Sequence, residues 1–416
     1  MSNSPVKILI VGAGNRGTGY AQNATKDGLA EIVGIAEPRE ARREHLVEEF
    51  NIPRENVFSD WKEAVAKEKF CDAVVIATQD SMHTEPALAF ASKGYHMLLE
   101  KPLAPTPEEC EQICQAAIDN DIIFSVGHVL RYTPYTQKLK EIIESGVIGE
   151  VVSLQHLEPV TYWHQAHSYV RGNWRNEKES SFMLLAKSCH DIDWIRYIMN
   201  GKISHISSFG SLHHFKKENR PEKAADRCLD CEVENECPYS AKRIYMSRIE
   251  KGEKGWPVDV ITDELTEEGV MEALRSGPYG RCVYDCDNDV VDHQVVNLEF
   301  NDGRTASMTM TAFNIGTNGR KTNVFGTKGE LLCDGKNITH VDFLTEERKE
   351  ICCYAGEGMA SDGHGGGDYG LTTAFVKAVA TGDRSHIVSG PEETLETHLA
   401  VFAAEKSRLE RSVKSI

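Results

Sequence analysis

The run Gly12-Ala13-Gly14-Asn15-Arg16-Gly17 follows an apolar stretch, residues 7–11, and opens a segment of helical character. Glycines at this spacing let the backbone turn tightly and approach a diphosphate, whose charge the amides of the following helix then stabilise. The pattern alone is weak; its place between a strand and a helix near the start of the chain gives it weight. Glu37 closes the next apolar stretch, residues 32–37. A carboxylate about twenty residues past the third glycine accepts both hydroxyls of an adenosine ribose and repels a 2′-phosphate. That favours NAD over NADP, although Arg39, Arg42 and Arg43 nearby leave NADP open and a solvated surface acid is the alternative.

Four further groups could do chemistry. Lys187, His190 and Asp191 stand at i, i+3 and i+4 of a helix predicted over residues 182–200 and share one face, while Ile192, Ile195 and Met199 share another. Residues 162–174 read as a loop dense in aromatics and imidazoles, with His164, Tyr169, Arg171 and Trp174 suited to the apolar faces and hydroxyl rims of a sugar. A structural plug or a subunit contact would use the same composition. His364, before Gly365-Gly366-Gly367-Asp368, either walls the same site or belongs to a helix-entry loop. Cys228, Cys231, Cys237 and Cys282 have the spacing of a closed four-sulfur structural Zn²⁺ site, with Cys286 competing as fourth ligand. Reduced thiols and an iron–sulfur cluster are the alternatives.

The elements that must position these groups change character partway along the chain. Apolar strands at 6–11, 31–36, 73–77, 96–100 and 122–126 alternate with helices at 39–50, 61–67, 84–93 and 107–120, which predicts a parallel sheet covered on both faces. After residue 126 come helices at 135–145 and 182–200 and strands at 150–157, 203–212, 289–300, 305–313, 322–326 and 329–333. That is the pattern of an α+β domain with a large open, mostly antiparallel sheet. Two helices near 371–381 and 391–413 end the chain. The expected division is 1–126 and 127–416, with residues 216–287 a cysteine-rich insertion that has few apolar residues of its own, so that a metal would help it fold.

The 416 residues suffice for two cores, and 40% apolar with 26% charged residues describes a soluble globular protein. A net charge of −18 argues against nucleic-acid and anionic-membrane partners. No run approaches the ~18 consecutive apolar residues of a membrane span. Met1 leads into the first strand without a basic segment or a long apolar core, which makes the cytoplasm the expected location.

Together with these patterns, Ala77-Thr78 with His83, Glu100-Lys101-Pro102, Gly127-His128 with Arg131-Tyr132, and the helix carrying Lys187 and His190 resemble the glucose-fructose oxidoreductase / inositol dehydrogenase / MocA (Gfo/Idh/MocA) family over nearly the whole chain apart from the insertion. The resemblance implies a Rossmann domain followed by an α/β domain whose open sheet carries the substrate and an oligomer interface, giving a homodimer or homotetramer. It implies cofactor contacts from Thr78, His83, Glu100, Lys101 and His128 beside Gly12, Gly14, Asn15, Arg16, Gly17 and Glu37. Lys101 would bond the reacting oxygen, and His190 with Lys187 would move its proton. Arg131, His164, Tyr169, Arg171, Trp174, Asp191 and His364 would bind a carbohydrate-like substrate. Many members carry aspartate four residues before the histidine, where this chain has Ala186. The implied activity is NAD-dependent hydride transfer at a ring hydroxyl of a sugar, sugar derivative or cyclitol. Residues 162–174 also resemble the segment of family members that are redox-neutral, NAD-dependent glycosidases. A non-catalytic NAD-sensing regulator is a third class, which intact Lys101 and His190 disfavour.

Overall fold

The computed structural model describes residues 4–316, 319–353 and 364–416. Six apolar stretches form a parallel sheet: β1 (Val6–Val11), β2 (Ala30–Ala36), β3 (Val57–Phe58), β4 (Ala73–Ile76), β5 (His96–Leu99) and β6 (Phe124–Val126), in the order β3-β2-β1-β4-β5-β6. All four residues of β4 are buried, as a strand covered on both faces requires. The covering helices are α1 (Asn15–Thr25), α2 (Glu40–Phe50), α3 (Trp61–Ala66), α4 (Thr84–Ser92) and α5 (Pro107–Asp119). Strand order reverses between β1 and β4, so a crevice opens at their carboxyl ends, where Gly12 and Ala77 lie. The two-residue β3 is too short to leave a period in the sequence.

α6 (Pro134–Glu144) leads to β7 (Val151–Pro159). The aromatic segment then departs from the expected loop: α7 (Tyr162–His164) runs into a π-helical stretch, Gln165–Arg171, which ends at Gly172. α8 (Met183–Met199) and β8 (Ile203–Ser211) precede the insertion, which holds α9 (Ser247–Ile249), α10 (Val258–Ile261) and α11 (Glu267–Ser276). β9 (His293–Phe300), β10 (Thr305–Thr311), β11 (Lys321–Gly326), β12 (Gly329–Cys333), β13 (Asn337–Asp342) and β14 (Arg348–Cys352) follow, then α12 (Gly367–Thr381), α13 (Pro391–Glu410) and β15 (Lys414–Ser415).

These strands form one nine-stranded sheet, β14-β13-β12-β11-β7-β10-β9-β8-β15. It is mixed, because β10 pairs parallel with β7 while the other described pairs run antiparallel. Burial alternates along β9 and β10, so one face packs and the other is open. Val296, Leu298, Met308 and Met310 on the packed face share a core with Ile192 and Ile195 of α8 and Val401 of α13.

Two findings revise the expected organisation. Leu371, Phe375 and Val376 of α12 share a core with Ile8, Ile10 and Tyr20, so the chain crosses back over the cut drawn after residue 126. The insertion, expected to be poor in apolar residues, has its own core: Ile244, Tyr245, Val258, Val270, Leu274 and Tyr279 are buried together with Phe215 just before it and with Ala166 and Val170 of the π-helical stretch.

Candidate active site

The turn after β1 is built tight against β4. Gly12 has φ +93°, and a side chain there would meet the Ala77 carbonyl at 2.7 Å, while a Cβ on Gly17 would lie 1.9 Å from the Gly12 carbonyl oxygen. Gly14, by contrast, faces open space, with only Arg42 Nη1 within 3.8 Å of its would-be Cβ. Gly14 caps α1 without any side-chain hydrogen bond, so the first amides of α1 have no side-chain acceptor there. Glu37, buried at the end of β2, accepts from the Ala13 amide at 2.8 Å and the Arg39 amide at 2.9 Å.

Glu100 ties this turn to the end of β5. It accepts from Arg16 Nε at 3.1 Å and from the Tyr20 hydroxyl at 2.5 Å. Arg16 also reaches Asp368 at 2.7 Å, and His364 Nδ1 lies 2.7 Å from the same carboxylate. His364 is therefore drawn to the glycine-turn side of the crevice. Burial raises the Asp368 carboxyl, but His364 and Arg16 outweigh it and hold it at about 2. His83 is buried with Nδ1 on the Pro102 carbonyl at 2.9 Å and Nε2 3.3 Å from the Thr78 carbonyl, fixing the loop after Lys101.

Lys101 crosses to the second sheet's helix: its Nζ donates to the Ala186 carbonyl at 2.9 Å. The backbone of Ala186 thus holds the ammonium. His190 lies one helical turn further along the same face. Its Nε2 is 2.8 Å from Arg320 Nη2, and its Nδ1 is buried without a partner among the described residues. Burial, with Lys101, Arg320 and Lys187 around it, holds the imidazole well below its usual range despite Asp191. A guanidinium only donates, so Nε2 accepts and the proton sits on Nδ1.

Arg320 joins a wider network. Its Nε lies 2.5 Å from Asp191 Oδ1 and 2.9 Å from Glu158 Oε2, and Lys187 Nζ meets the other Glu158 oxygen at 3.1 Å. His156 bridges Asp191 at 3.1 Å and Thr322 at 2.8 Å. Burial opposes ionisation of Asp191, but Arg320, His190 and His156 hold it well below the usual carboxylate range. Asp80, buried beside Lys101, is instead pushed up by burial, against the pull of His83, Lys101 and Trp174.

Glu158, His156, Arg320 and Asp80 were not anticipated from sequence. His156 and Glu158 did leave a signal: they occupy alternate inward positions of β7, where apolar residues are expected. Arg320 precedes β11 in a stretch without periodicity and left none.

The aromatic segment divides its side chains. His164 is held neutral by burial and by the charges of Lys187 and Lys101, and its ring lies 5.7 Å from that of Tyr169, which in turn lies 6.4 Å from Trp174. His167 and Arg171 point into the insertion instead. His167 Nδ1 is 2.7 Å from the Tyr245 hydroxyl, and Arg171 donates to the carbonyls of Arg281 at 2.7 Å and Tyr239 at 3.0 Å. Two residues expected near ligands are likewise committed elsewhere. Arg131 is buried in a two-pronged pair with Asp193, at 2.7 and 2.6 Å. His128 is buried 3.6 Å from the same carboxylate and packs against His398.

The zinc expectation finds no support. Cys228, Cys231, Cys237 and Cys282 do line one small pocket with Arg171. Yet among the described residues no group of three or more His, Cys, Asp or Glu side chains is placed to hold a metal ion. Arg171 Nη2 donates to Cys228 Sγ at 3.4 Å, and the aromatic core supplies the burial that a metal was expected to provide.

Comparison with known proteins now bears on this arrangement. A family model described as oxidoreductase family, NAD-binding Rossmann fold, matches residues 6–128, and its partner, the C-terminal alpha/beta domain, matches residues 140–388. An uncharacterized oxidoreductase of Streptococcus pneumoniae is 28% identical over 205 residues, 49% of this chain and 53% of its own. A 2,7-anhydro-N-acetylneuraminate hydratase of Mediterraneibacter gnavus is 25% identical over 205 residues, 49% of this chain and 52% of its own. The chain thus spans about half the length of these curated relatives. The solved structure of a levoglucosan dehydrogenase with NADH and levoglucosan superimposes with a TM-score of 0.71 at 20% identity, covering 99% of this chain and 100% of that one, which establishes the shared fold. No described helix is long and apolar enough to cross a membrane.

Proposed function

The chain belongs to the Gfo/Idh/MocA oxidoreductase family, and from that premise we propose that it is an NAD(H)-dependent oxidoreductase acting on a ring hydroxyl or ketone of a sugar, sugar derivative or cyclitol. The crevice fits the dinucleotide: Gly14 leaves open space, the α1 amides lack a side-chain cap, and Glu37 stands at the ribose position with its carboxylate fixed by two amides. Gly12, Gly14, Asn15, Arg16, Gly17, Glu37 and Thr78 would hold the cofactor. When bound, the nicotinamide supplies a hydride acceptor for oxidation and a hydride donor for reduction.

The observation that carries the reading is the reach of Lys101 from the end of β5 to the Ala186 carbonyl, one turn from His190. At that edge the ammonium donates to the substrate oxygen and stabilises its negative charge. On reduction Lys101 gives that oxygen a proton; on oxidation the neutral amine takes the hydroxyl proton. His190, with its proton on Nδ1, donates to the same oxygen and orients it. Lys187, Asp191, His164, Tyr169 and Trp174 line the substrate side. Incubating the enzyme with NAD⁺ and a panel of free sugars, anhydrosugars and inositols tests this: substrate-dependent NADH formation is expected, and its loss in Lys101→Met.

A redox-neutral reading, in which the same cofactor takes and returns the hydride around an elimination or hydration, is favoured by the surplus of acid and base groups. The Lys187–Glu158 pair, His164 and Tyr169 exceed what simple oxidation needs. Near-stoichiometric NAD(H) released on denaturing the undialysed protein would support it. For assembly, the open sheet face, with Val152, Phe209 and Val295 exposed, is the proposed contact of a homodimer or homotetramer, tested by sedimentation.

A further inference from the structure

The tip of the insertion spans the crevice. Trp256 packs on the substrate-side wall, with ring centroids 4.9 Å from His164 and 5.1 Å from Trp163. Three residues later, in α10, Asp259 Oδ2 lies 3.4 Å from Asn15 Nδ2 within the glycine turn. A short peptide therefore touches both the candidate substrate wall and the candidate cofactor turn.

Asp259 lies within electrostatic reach of Arg42, whose guanidinium overlooks the open space at Gly14. Backbone fills the space beside Gly12 and Gly17, whereas Gly14 is open and overlooked by Arg42. Burial raises the Asp259 carboxyl above its usual range, while Asn15, Arg42 and its own backbone amide favour the charged form. Its other oxygen, Oδ1, is buried and has no hydrogen-bond partner among the described residues. A buried carboxylate oxygen left unpaired is costly, and the nearest ligand surface in a dinucleotide-binding turn is the adenosine ribose and diphosphate. A ribose hydroxyl would satisfy it; a 2′-phosphate would be repelled.

We propose that the insertion is a clasp on the dinucleotide, and that Asp259 is a cofactor-contact residue which, with Glu37, selects the unphosphorylated ribose and slows cofactor release. The inference rests on the reading of the glycine turn as the dinucleotide site. It gives the insertion a role that needs no metal and explains why it packs through His167, Tyr245 and Tyr279 onto the π-helical stretch: the clasp is braced from the substrate side.

The test is equilibrium and stopped-flow binding of NADH and NADPH, read by nicotinamide fluorescence, on wild type, Asp259→Asn and Asp259→Ala. A lost hydrogen bond to a charged group corresponds to roughly tenfold to a hundredfold in affinity. Faster NADH release and an NADH-over-NADPH preference reduced by about that factor are expected in both variants. Asp259→Asn is the deciding variant, because it keeps the size and the Asn15 contact while removing the charge. An unchanged preference and release rate in Asp259→Asn overturns the clasp, whatever Asp259→Ala does. Wild type that binds neither nucleotide overturns the dinucleotide reading and the clasp with it, and that result is told apart by the wild-type trace alone.

Discussion

Arg320 Nη2 lies 2.8 Å from His190 Nε2, and this contact decides what the histidine can do. A guanidinium cannot accept a hydrogen bond, so the imidazole must present its lone pair to Arg320 and its proton at Nδ1. On the proposed reading His190 is then a fixed donor toward the substrate oxygen, and Lys101 carries the proton.

A donor can be imitated by an amide. His190→Asn should retain more kcat than His190→Ala, by about tenfold, because the asparagine amide can replace the Nδ1 hydrogen bond. Both variants should keep the wild-type NADH affinity. Equal, near-complete loss in both would point to an acid–base role for the imidazole instead.

Removing Arg320 should change a pH profile. In wild type, burial and the cations Lys101, Arg320 and Lys187 keep His190 neutral well below its usual range. In Arg320→Met one of those cations is gone while Asp191 remains 3.4 Å away, so the imidazole pKa rises from its depressed position. An acid limb of kcat/KM displaced to higher pH than in wild type is expected in the variant. Superimposable profiles would remove Arg320 from this role.

Arg131 should matter for stability rather than for binding. Its pair with Asp193 is fully buried, and His128 and Thr397 crowd the same carboxylate. Arg131→Ala strands that charge and should cost about 3–5 kcal/mol in denaturant unfolding. The double variant Arg131→Met/Asp193→Leu, which removes both charges, should recover most of the loss.

Acid should unfold the protein from an unusually high pH. Burial lowers His128 and His167 to about 3 and His398 to about 4, so these rings are neutral when folded and protonate at about 6.5 once unfolded. The unfolded state binds more protons throughout that window, so stability falls as pH drops from about 6.5 toward 4, by roughly 1 kcal/mol per pH unit for each ring. The depressed carboxylates Asp191, Asp193 and Asp368 add their loss only below about 4. Melting temperatures measured between pH 7 and 4 check this. A flat profile down to 4.5 would contradict it.

The cofactor side was legible because its signals are local. The glycine turn, Glu37 and the Glu100-Lys101 pair each lie at the end of a strand whose apolar run marks it. The substrate side was half legible. α8 gave up Lys187, His190 and Asp191 by helical spacing, but their partners come from distant strands, Arg320 being 130 residues from His190. No local pattern links such positions; only the pairing of β11 with β7 brings Arg320 near Glu158. The aromatic segment was misjudged as a loop, although His164, His167 and Arg171 repeat at helical spacing up to the terminating Gly172. The cysteine spacing is open to two readings. Thiols three residues apart suit a metal, and equally suit a buried aromatic core in which Arg171 takes up one sulfur.

The most direct test of the account follows a label. Wild type and Lys101→Met are each mixed in a single turnover with NAD⁺ and a ring polyol deuterated at its carbinol carbons, and the nicotinamide is recovered and examined for deuterium. The account predicts deuterium on the nicotinamide ring in wild type and at least a hundredfold slower transfer in Lys101→Met, in line with the roughly 10²–10³ loss seen when one charge-stabilising donor is removed. Equal transfer in the two proteins, or a nicotinamide that binds yet never acquires the label across the panel, would contradict it.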